Sequence, residues 1–312
     1  VIGSDRRSAR HSLWRLKYLN IEEKVIFEEL ELGEIYNVER VFKKYKFDEI
    51  YNLAAQSFVK SSFESPLNTA SITGLGVLRL LECVRVYAPN AKFYQASSSE
   101  MFGNASNNIQ NENTVFKPQS PYAVSKIFGH NIVQNYRQAY NIYCVSGILF
   151  NHESPLRGDE FVTKKIVSGL TQIYKGKNKI LELGNINSRR DWGYAKDYVE
   201  LMWKMLQQKK PEDFVIATEK TYSVKTFINL VTLKLGLKTK WVGKGLNEKL
   251  VNKENNRVII RISPKYFRPS EVNYLRGDCT KAKKLLNWKN KTSLKKLINI
   301  MVEYELSISN QN

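Results

Sequence analysis

Ser120-Pro121-Tyr122-Ala123-Val124-Ser125-Lys126-Ile127-Phe128-Gly129-His130, continued by Asn131-Ile132-Val133-Gln134-Asn135-Tyr136-Arg137-Gln138-Ala139-Tyr140, has the form of a helix with a marked beginning. Ser120 suits the N-cap, where its hydroxyl can accept from an unpaired backbone N–H, and Pro121 suits the first turn. Val124, Phe128, Ile132, Tyr136 and Tyr140 recur every fourth residue, a ridge expected to face a core. β-rich runs flank the helix: Lys92-Phe93-Tyr94-Gln95-Ala96 before it, and Tyr143-Cys144-Val145-Ser146-Gly147-Ile148 after it. Val25-Ile26-Phe27 and Glu49-Ile50-Tyr51-Asn52-Leu53 have the same character upstream, with helical patterns near 34–46 and 66–87. Such alternation predicts an α/β protein with a doubly wound parallel sheet covered on both faces.

After Phe150 the pattern loosens, with loops expected around Asn151–Gly158 and Gly184–Gly193. Asp213-Phe214-Val215-Ile216-Ala217 reads as a strand returning to the sheet. The chain of 312 residues is therefore divided into 1–150, with a later contribution near 190–218, and a smaller interleaved α/β domain over 151–312. A hydrophobic content of 42% excludes intrinsic disorder. Cys83, Cys144 and Cys279 form neither a disulfide framework nor a zinc spacing, and no metal site is expected. Uninterrupted apolar runs such as Ile148-Leu149-Phe150 are far short of the ~20 residues of a membrane span. No apolar leader segment follows Arg6-Arg7, so a soluble cytoplasmic protein without a membrane partner is expected.

The net charge of +19 raises the question of nucleic acid. Its densest part, Lys281, Lys283, Lys284, Lys289, Lys291, Lys295 and Lys296, is interleaved with Leu285, Leu286, Trp288, Leu294 and Leu297. These apolar residues read as the buried side of C-terminal helices, leaving a solvated lysine face and no nucleic-acid partner.

Tyr122 and Lys126 are one helical turn apart and share a face. An ammonium near a phenol stabilises phenolate, which makes the tyrosine a usable acid or base on a hydroxyl becoming a carbonyl. An ordinary helix pair has the same spacing. Upstream, Ala96-Ser97-Ser98-Ser99-Glu100 follows a β-run directly, where parallel sheets present groups to ligands. Ser98 can hydrogen-bond a substrate hydroxyl and Glu100 can move a proton; a plain polar turn is the alternative.

With these residues in place, the chain resembles the extended short-chain dehydrogenase/reductase family, in its GDP-mannose 4,6-dehydratase group. The likeness runs through Arg6-Arg7-Ser8, Asn52-Leu53-Ala54-Ala55-Gln56-Ser57, Phe93 to Glu100, and Ser120 to Lys126. It continues through Gly147 to Pro155, Arg190-Asp191-Trp192-Gly193, Lys196 to Glu200, Glu212 to Thr218, Tyr266 to Val272, and Gly277 to Ala282. The resemblance implies a Rossmann-like NADP-binding domain over 1–150 and a mainly GDP-sugar-binding domain over 151–312. It implies a hydro-lyase of nucleotide-sugar metabolism, on the route to GDP-fucose, that turns GDP-mannose into GDP-4-keto-6-deoxymannose by internal hydride transfer from C4 to C6. Ser98, Glu100, Tyr122 and Lys126 would be catalytic. Arg6, Arg7, Ser8, Glu29, Leu30, Leu53, Ala54, Ala55, Gln56, Ser57, Asn68, Lys126, His152 and Arg157 would contact NADP. Asn151, Lys165, Arg190, Arg268 and Glu271 would hold the GDP-sugar, and the family assembles as homodimers or homotetramers.

The chain departs from the family at several points. Glu29 stands where an Asp is usual, Phe58 where a His is usual, and Asn68 where a Tyr is usual. By the same comparison Val1 falls inside the family's second strand, so a β-turn-α unit of about thirty residues with the glycine-rich phosphate turn is missing. Either the sequence is a fragment, which is the favoured reading, or the unit is truly lost. Two further readings are another GDP-sugar dehydratase or reductase, for example on a GDP-heptose, and a non-catalytic nucleotide-sugar-binding homologue.

Overall fold

The computed structural model describes residues 1–8, 13–106, 109–177 and 180–308, and its chain divides into two compact units. The first comprises Val1–Met101, Ser120–Ile148 and Met202–Phe214; the second comprises Phe102–Gln119, Leu149–Leu201 and Val215–Asn312.

The first unit alternates strand and helix: β1 (Ile2–Asp5), α1 (Trp14–Tyr18), β2 (Ile26–Glu29), α2 (Ile35–Lys44), β3 (Glu49–Asn52) and α3 (Val59–Glu64). A 22-residue helical stretch, Pro66–Tyr87, follows as α4 (Pro66–Thr69), a π-helical segment over Ala70–Leu75, and α5 (Gly76–Tyr87). Then come β4 (Lys92–Ser98), α6 (Pro121–Tyr140) and β5 (Cys144–Leu149). β1 pairs in parallel with β2 in a sheet of their own, while β3 pairs in parallel with β4 and β4 neighbours β5. β5 is buried along its whole length and β4 at Phe93, Tyr94, Gln95 and Ser97, as strands covered on both faces must be. Val38 and Phe42 of α2, Leu80, Leu81 and Val84 of α5, Phe93 of β4 and Val133 of α6 close one core over this sheet.

Pro66–Tyr87 is long and apolar enough to cross a membrane by length and composition, although polar residues such as Asn68, Ser71, Arg79 and Glu82 interrupt its apolar ones. Half of its most apolar window is buried, however, and its Leu80, Leu81 and Val84 belong to the core.

The second unit contains β6 (Asn151–Glu153), α7 (Val162–Tyr174), β7 (Leu181–Leu183), β8 (Arg189–Arg190), β9 (Trp192–Tyr194) and α8 (Ala195–Leu206), whose last turn belongs to the first unit. β10 (Phe214–Ile216), whose first residue belongs to the first unit, and β11 (Tyr222–Ser223) follow. Next are α9 (Val224–Lys234), β12 (Thr239–Val242), β13 (Lys249–Asn252), β14 (Val258–Ile262), α10 (Thr280–Leu286) and α11 (Leu294–Ile308). The segments 151–158 and 184–193, expected as loops, hold β6, β8 and β9. β6 pairs in parallel with β9, and β8 pairs antiparallel with β11. A sheet in the order β12-β13-β14-β7 packs with α7, α9 and α11 through Ile166, Leu170, Phe227, Val231, Ile260, Leu297 and Met301.

Two expectations about faces are corrected. On α6 the buried row is Tyr122, Lys126, Gly129, His130 and Val133, whereas Val124 is 55% and Phe128 40% exposed and Tyr140 is also exposed. Tyr136 is buried and Ile132 packs on the core, because the helix turns about 100° per residue and an i+4 row drifts around it. Among the C-terminal residues Leu286, Leu294 and Leu297 are buried on helices, but Leu285 is exposed and the buried Trp288 follows α10 rather than lying on it.

Gly129 is where α6 meets the Pro66–Tyr87 stretch: a Cβ there would stand 2.9 Å from Val77 Cγ2 and 3.6 Å from the Thr73 carbonyl. Val77 is β-branched and has one favoured rotamer in a helix, so it yields little. Gly129→Val should therefore cost about 1–3 kcal/mol, read as a lower denaturation midpoint. An unchanged midpoint would mean that the two helices are not held this closely.

Candidate active site

Ser120 is extended (φ −156°, ψ 154°), and its hydroxyl accepts from the Ala123 N–H at 3.1 Å, with Pro121 opening α6. The first two turns then place Tyr122 and Lys126 on the buried face, only 8% and 3% exposed. Lys126 Nζ donates to the Ala96 carbonyl of β4 at 2.7 Å and lies 5.8 Å from the centre of the Tyr122 ring. Burial lowers the Lys126 pKa to about 8, because taking an ammonium out of water disfavours its charged form.

β4 ends two residues past Ala96, and the chain tightens into a single turn over Ser99–Met101. Ser98 Oγ accepts from the Glu100 N–H at 3.2 Å, and the Glu100 side chain is buried. Ser98, Glu100, Tyr122 and Lys126 thus all lie in the first unit, two at the carboxyl end of a parallel strand and two on the helix bonded to it. The set holds a carboxylate, a phenol, an ammonium and a hydroxyl, which is enough for two separate proton transfers.

Arg6, Arg7 and Ser8 are exposed immediately beyond β1, and the Arg6 N–H donates to Asp5 Oδ1 at 2.8 Å. Glu29 ends β2 with its side chain exposed, and the half-buried Leu30 donates its N–H to the Asp5 carbonyl at 2.9 Å. Beyond β3, Leu53, Ala54 and Ser57 are exposed while Ala55 and Gln56 are half-buried. The Ala54 N–H is turned onto Asn52 Oδ1 at 3.2 Å, and Asn52 Nδ2 donates to Gln95 Oε1 of β4 at 2.8 Å. Gln56 is a brace: its N–H donates to Thr73 Oγ1 at 3.0 Å, its Nε2 to the Phe58 carbonyl at 3.0 Å, and its Oε1 accepts from Thr69 Oγ1 at 3.1 Å. Two of those partners flank or lie within the π-helical segment, a helix irregularity frequent at functional sites. Asn68 is exposed on α4.

A dinucleotide with a 2′-phosphate fits part of this set. Exposed guanidiniums just past a parallel strand suit the phosphate, and the Tyr122–Lys126 pair suits hydroxyls at the other end. For the pyrophosphate, the described residues contain no glycine-rich turn between a strand and a helix.

In the second unit Arg190 and Arg268 converge on one carboxylate, at 3.3 Å and 3.9 Å from Glu271 Oε1. Lys165 Nζ sits 3.5 Å from the centre of the Tyr266 ring. Asn151, on β6, has a buried Oδ1 without a hydrogen-bond partner. Next to it His152 hydrogen-bonds the Phe150 carbonyl at 2.9 Å and stacks on Tyr198, and burial lowers its pKa to about 4. Arg157 Nε lies 3.2 Å from Glu153 Oε2, with its guanidinium over the Phe161 ring.

Sequence reasoning missed a polar row on α6. His130 and Gln134 continue the spacing of Tyr122 and Lys126, and Arg137 follows, so the row was readable as a repeat of four. Arg137 pairs with Asp213, which also accepts from the Ser146 N–H at 2.7 Å.

The family model described as GDP-mannose 4,6 dehydratase matches residues 1–301. The chain belongs to this family. A human GDP-mannose 4,6 dehydratase is 43% identical over 320 residues, covering 100% of this chain and 86% of the relative. The GDP-mannose 4,6-dehydratase of Sinorhizobium fredii (strain HH103) is 42% identical over 314 residues, covering 98% and 90%. In fold the chain is similar to DesIV, a dTDP-glucose 4,6-dehydratase from Streptomyces venezuelae, with a TM-score of 0.81 at 17% identity, covering 100% of this chain and 88% of DesIV. Its family makes the protein an enzyme of the hydro-lyase type, built on a Rossmann-like α/β fold.

Burial of Lys126 has a consequence for stability. Its folded pKa of about 8 lies below the ordinary 10.5, so between these values the unfolded chain holds the extra proton. Stability therefore rises with pH across that window, and the cost of burying the charge is complete below it. Denaturation midpoints of wild type should gain on those of Lys126→Met as pH rises from about 8 to 10.5. Parallel curves would contradict the shift.

Proposed function

We propose that the protein dehydrates GDP-mannose to GDP-4-keto-6-deoxymannose with NADP as a cofactor that is regenerated in each cycle. The observation that carries this reading is the Ser98–Glu100 turn at the end of β4, tied through Ala96 to the helix bearing Tyr122 and Lys126. An enzyme that only moved hydrogen at C4 would use the tyrosine and lysine; the added carboxylate supplies the second acid–base group that loss of water demands.

Tyr122 takes the proton of the sugar 4-hydroxyl, and the Lys126 charge stabilises its phenolate. Bound NADP would supply the hydride acceptor for C4 and the hydride donor for C6. The new C4 carbonyl acidifies the C5 hydrogen, which Glu100 removes as a proton. That proton goes to the departing 6-hydroxyl, which leaves as water while the C5–C6 double bond forms; as hydride adds at C6, C5 takes the proton held by Tyr122, which returns to phenolate. Ser98 orients the hydroxyl that leaves.

In this reading Arg6, Arg7 and Ser8 take the 2′-phosphate, Glu29 and Leu30 the adenine, and Leu53 to Ser57 the nicotinamide side, with Asn68 as a further cofactor contact. Arg190 and Arg268 take the diphosphate, since planar guanidiniums bind phosphate oxygens in pairs and Glu271 already holds both in place. Lys165 adds charge, and the unpartnered Asn151 Oδ1 offers an acceptor. The exposed Val124 and Phe128 of α6, with Leu67 and Leu75 of Pro66–Tyr87, are apolar surface suited to a second copy of the chain, which supports a homodimer or homotetramer as the working form.

Purified protein given NADP⁺ and GDP-mannose should form the 4-keto product without net accumulation of reduced cofactor. Turnover of a different GDP-sugar alone, or none with any, would overturn the assignment. Glu100→Gln should lower kcat on the order of 10²- to 10⁴-fold with the NADP Kd unchanged. Arg190→Met should raise the KM for GDP-mannose by about tenfold through loss of a charged hydrogen bond.

A further inference from the structure

Behind the strand end that carries Ser98 and Glu100 runs a buried polar ladder within the first unit. Gln134 Nε2 donates to Asp213 Oδ2 at 2.9 Å, and the same nitrogen lies 3.1 Å from His130 Nε2. His130 Nδ1 in turn lies 3.1 Å from Ser97 Oγ. His130 and Ser97 are almost wholly buried, and Asp213 is anchored by Arg137 and by the Ser146 N–H.

The donor and acceptor roles along this ladder follow from chemistry. A carboxylate only accepts, so the Gln134 atom facing Asp213 must be its NH₂ group. That group has a second hydrogen, directed to His130 Nε2, which therefore accepts and carries no proton. His130 is then neutral with its proton on Nδ1, and Nδ1–H donates to Ser97 Oγ. Protonating Nε2 as well would set two donors against each other. Burial also lowers the His130 pKa and keeps the ring neutral.

Ser97 lies between Ala96, held by Lys126, and Ser98, whose hydroxyl holds the Glu100 N–H. Successive turns of α6 thus grip successive residues of the strand end, Lys126 through a backbone carbonyl and His130 through a side chain.

We infer that His130, fixed as its Nδ1–H tautomer by Gln134 and Asp213, is a positioning residue that clamps Ser97 and thereby sets where Ser98 and Glu100 stand. The inference rests on the dehydratase reading for its kinetic consequence, but not for its structural one. His130 touches neither substrate nor cofactor in this account. Its effect reaches the chemistry through Ser97, and small misplacement of reacting groups is costly.

The test compares wild type with His130→Leu, His130→Asn, Ser97→Ala and Gln134→Leu. Nitrogen-15 spectra of the imidazole should show wild-type His130 as the Nδ1–H tautomer at neutral pH, with Gln134→Leu losing that preference. Amide hydrogen exchange over 98–101 should be faster in His130→Leu and Ser97→Ala. Both variants should lower kcat roughly ten- to hundredfold with the KM for GDP-mannose unchanged. His130→Asn, whose amide N–H falls where Nδ1–H was, should restore most of kcat. An Nε2–H tautomer in wild type, or unchanged exchange and kcat in folded His130→Leu, would overturn the clamp. If wild type itself makes no product from GDP-mannose, the functional reading fails, and the spectra and exchange rates alone decide the clamp.

Discussion

The Lys126 ammonium is buried against the Ala96 carbonyl, and much of the first unit is arranged around that contact. An ammonium taken out of water is costly, and here the hydrogen-bond partner in place is a backbone oxygen. The contact is sustained because α6 cannot withdraw: Gly129 lets it approach Thr73 and Val77, and Val133 and Tyr136 are locked in the core. What the arrangement provides is a cation beside the Tyr122 ring and a fixed distance from α6 to the end of β4. A lysine on a solvated face would have neither effect.

The same helix explains the division of labour along β4. Adjacent strand residues face differently: Ser97 turns back onto His130 of α6, while Ser98 holds the Glu100 N–H. One serine is tied to the helix and the next to the turn that carries Glu100. Glu100 follows in a single tight turn, which brings a buried carboxylate to the same strand end without a second element. The second unit contributes a different chemistry, with two guanidiniums already oriented by Glu271 and a neutral, stacked His152.

Much of this was legible in the sequence. The alternation of β-runs and helical patterns gave the parallel α/β sheet, and the bounds of α6 followed from Ser120, Pro121 and the periodic residues behind them. The buried face of α6 was misread because its apolar row and its polar row share the same spacing. Hydrophobicity favoured Val124 and Phe128, yet the burial went to Tyr122, Lys126 and His130, whose polar atoms have partners on β4 and on neighbouring side chains. Periodicity counts apolar residues and cannot see a partner distant in sequence: Ser97 is 33 residues from His130, and Asp213 is 79 from Gln134. Short strands such as β6, β8 and β9 were missed for a related reason, since two or three residues carry no alternation to detect and exist only through pairing.

In the proposed reaction, one set of groups at the end of β4 and on α6 first opens C4 of a GDP-sugar to oxidation and then expels water across C5 and C6. Following isotopes through the reaction tests it most directly. With GDP-mannose carrying deuterium at C4, in ordinary water, the product should carry that deuterium at C6 and none at C4. In heavy water with unlabelled substrate, solvent deuterium should enter at C5. Deuterium lost to solvent or kept at C4, or a product with its 6-hydroxyl intact, would contradict the account.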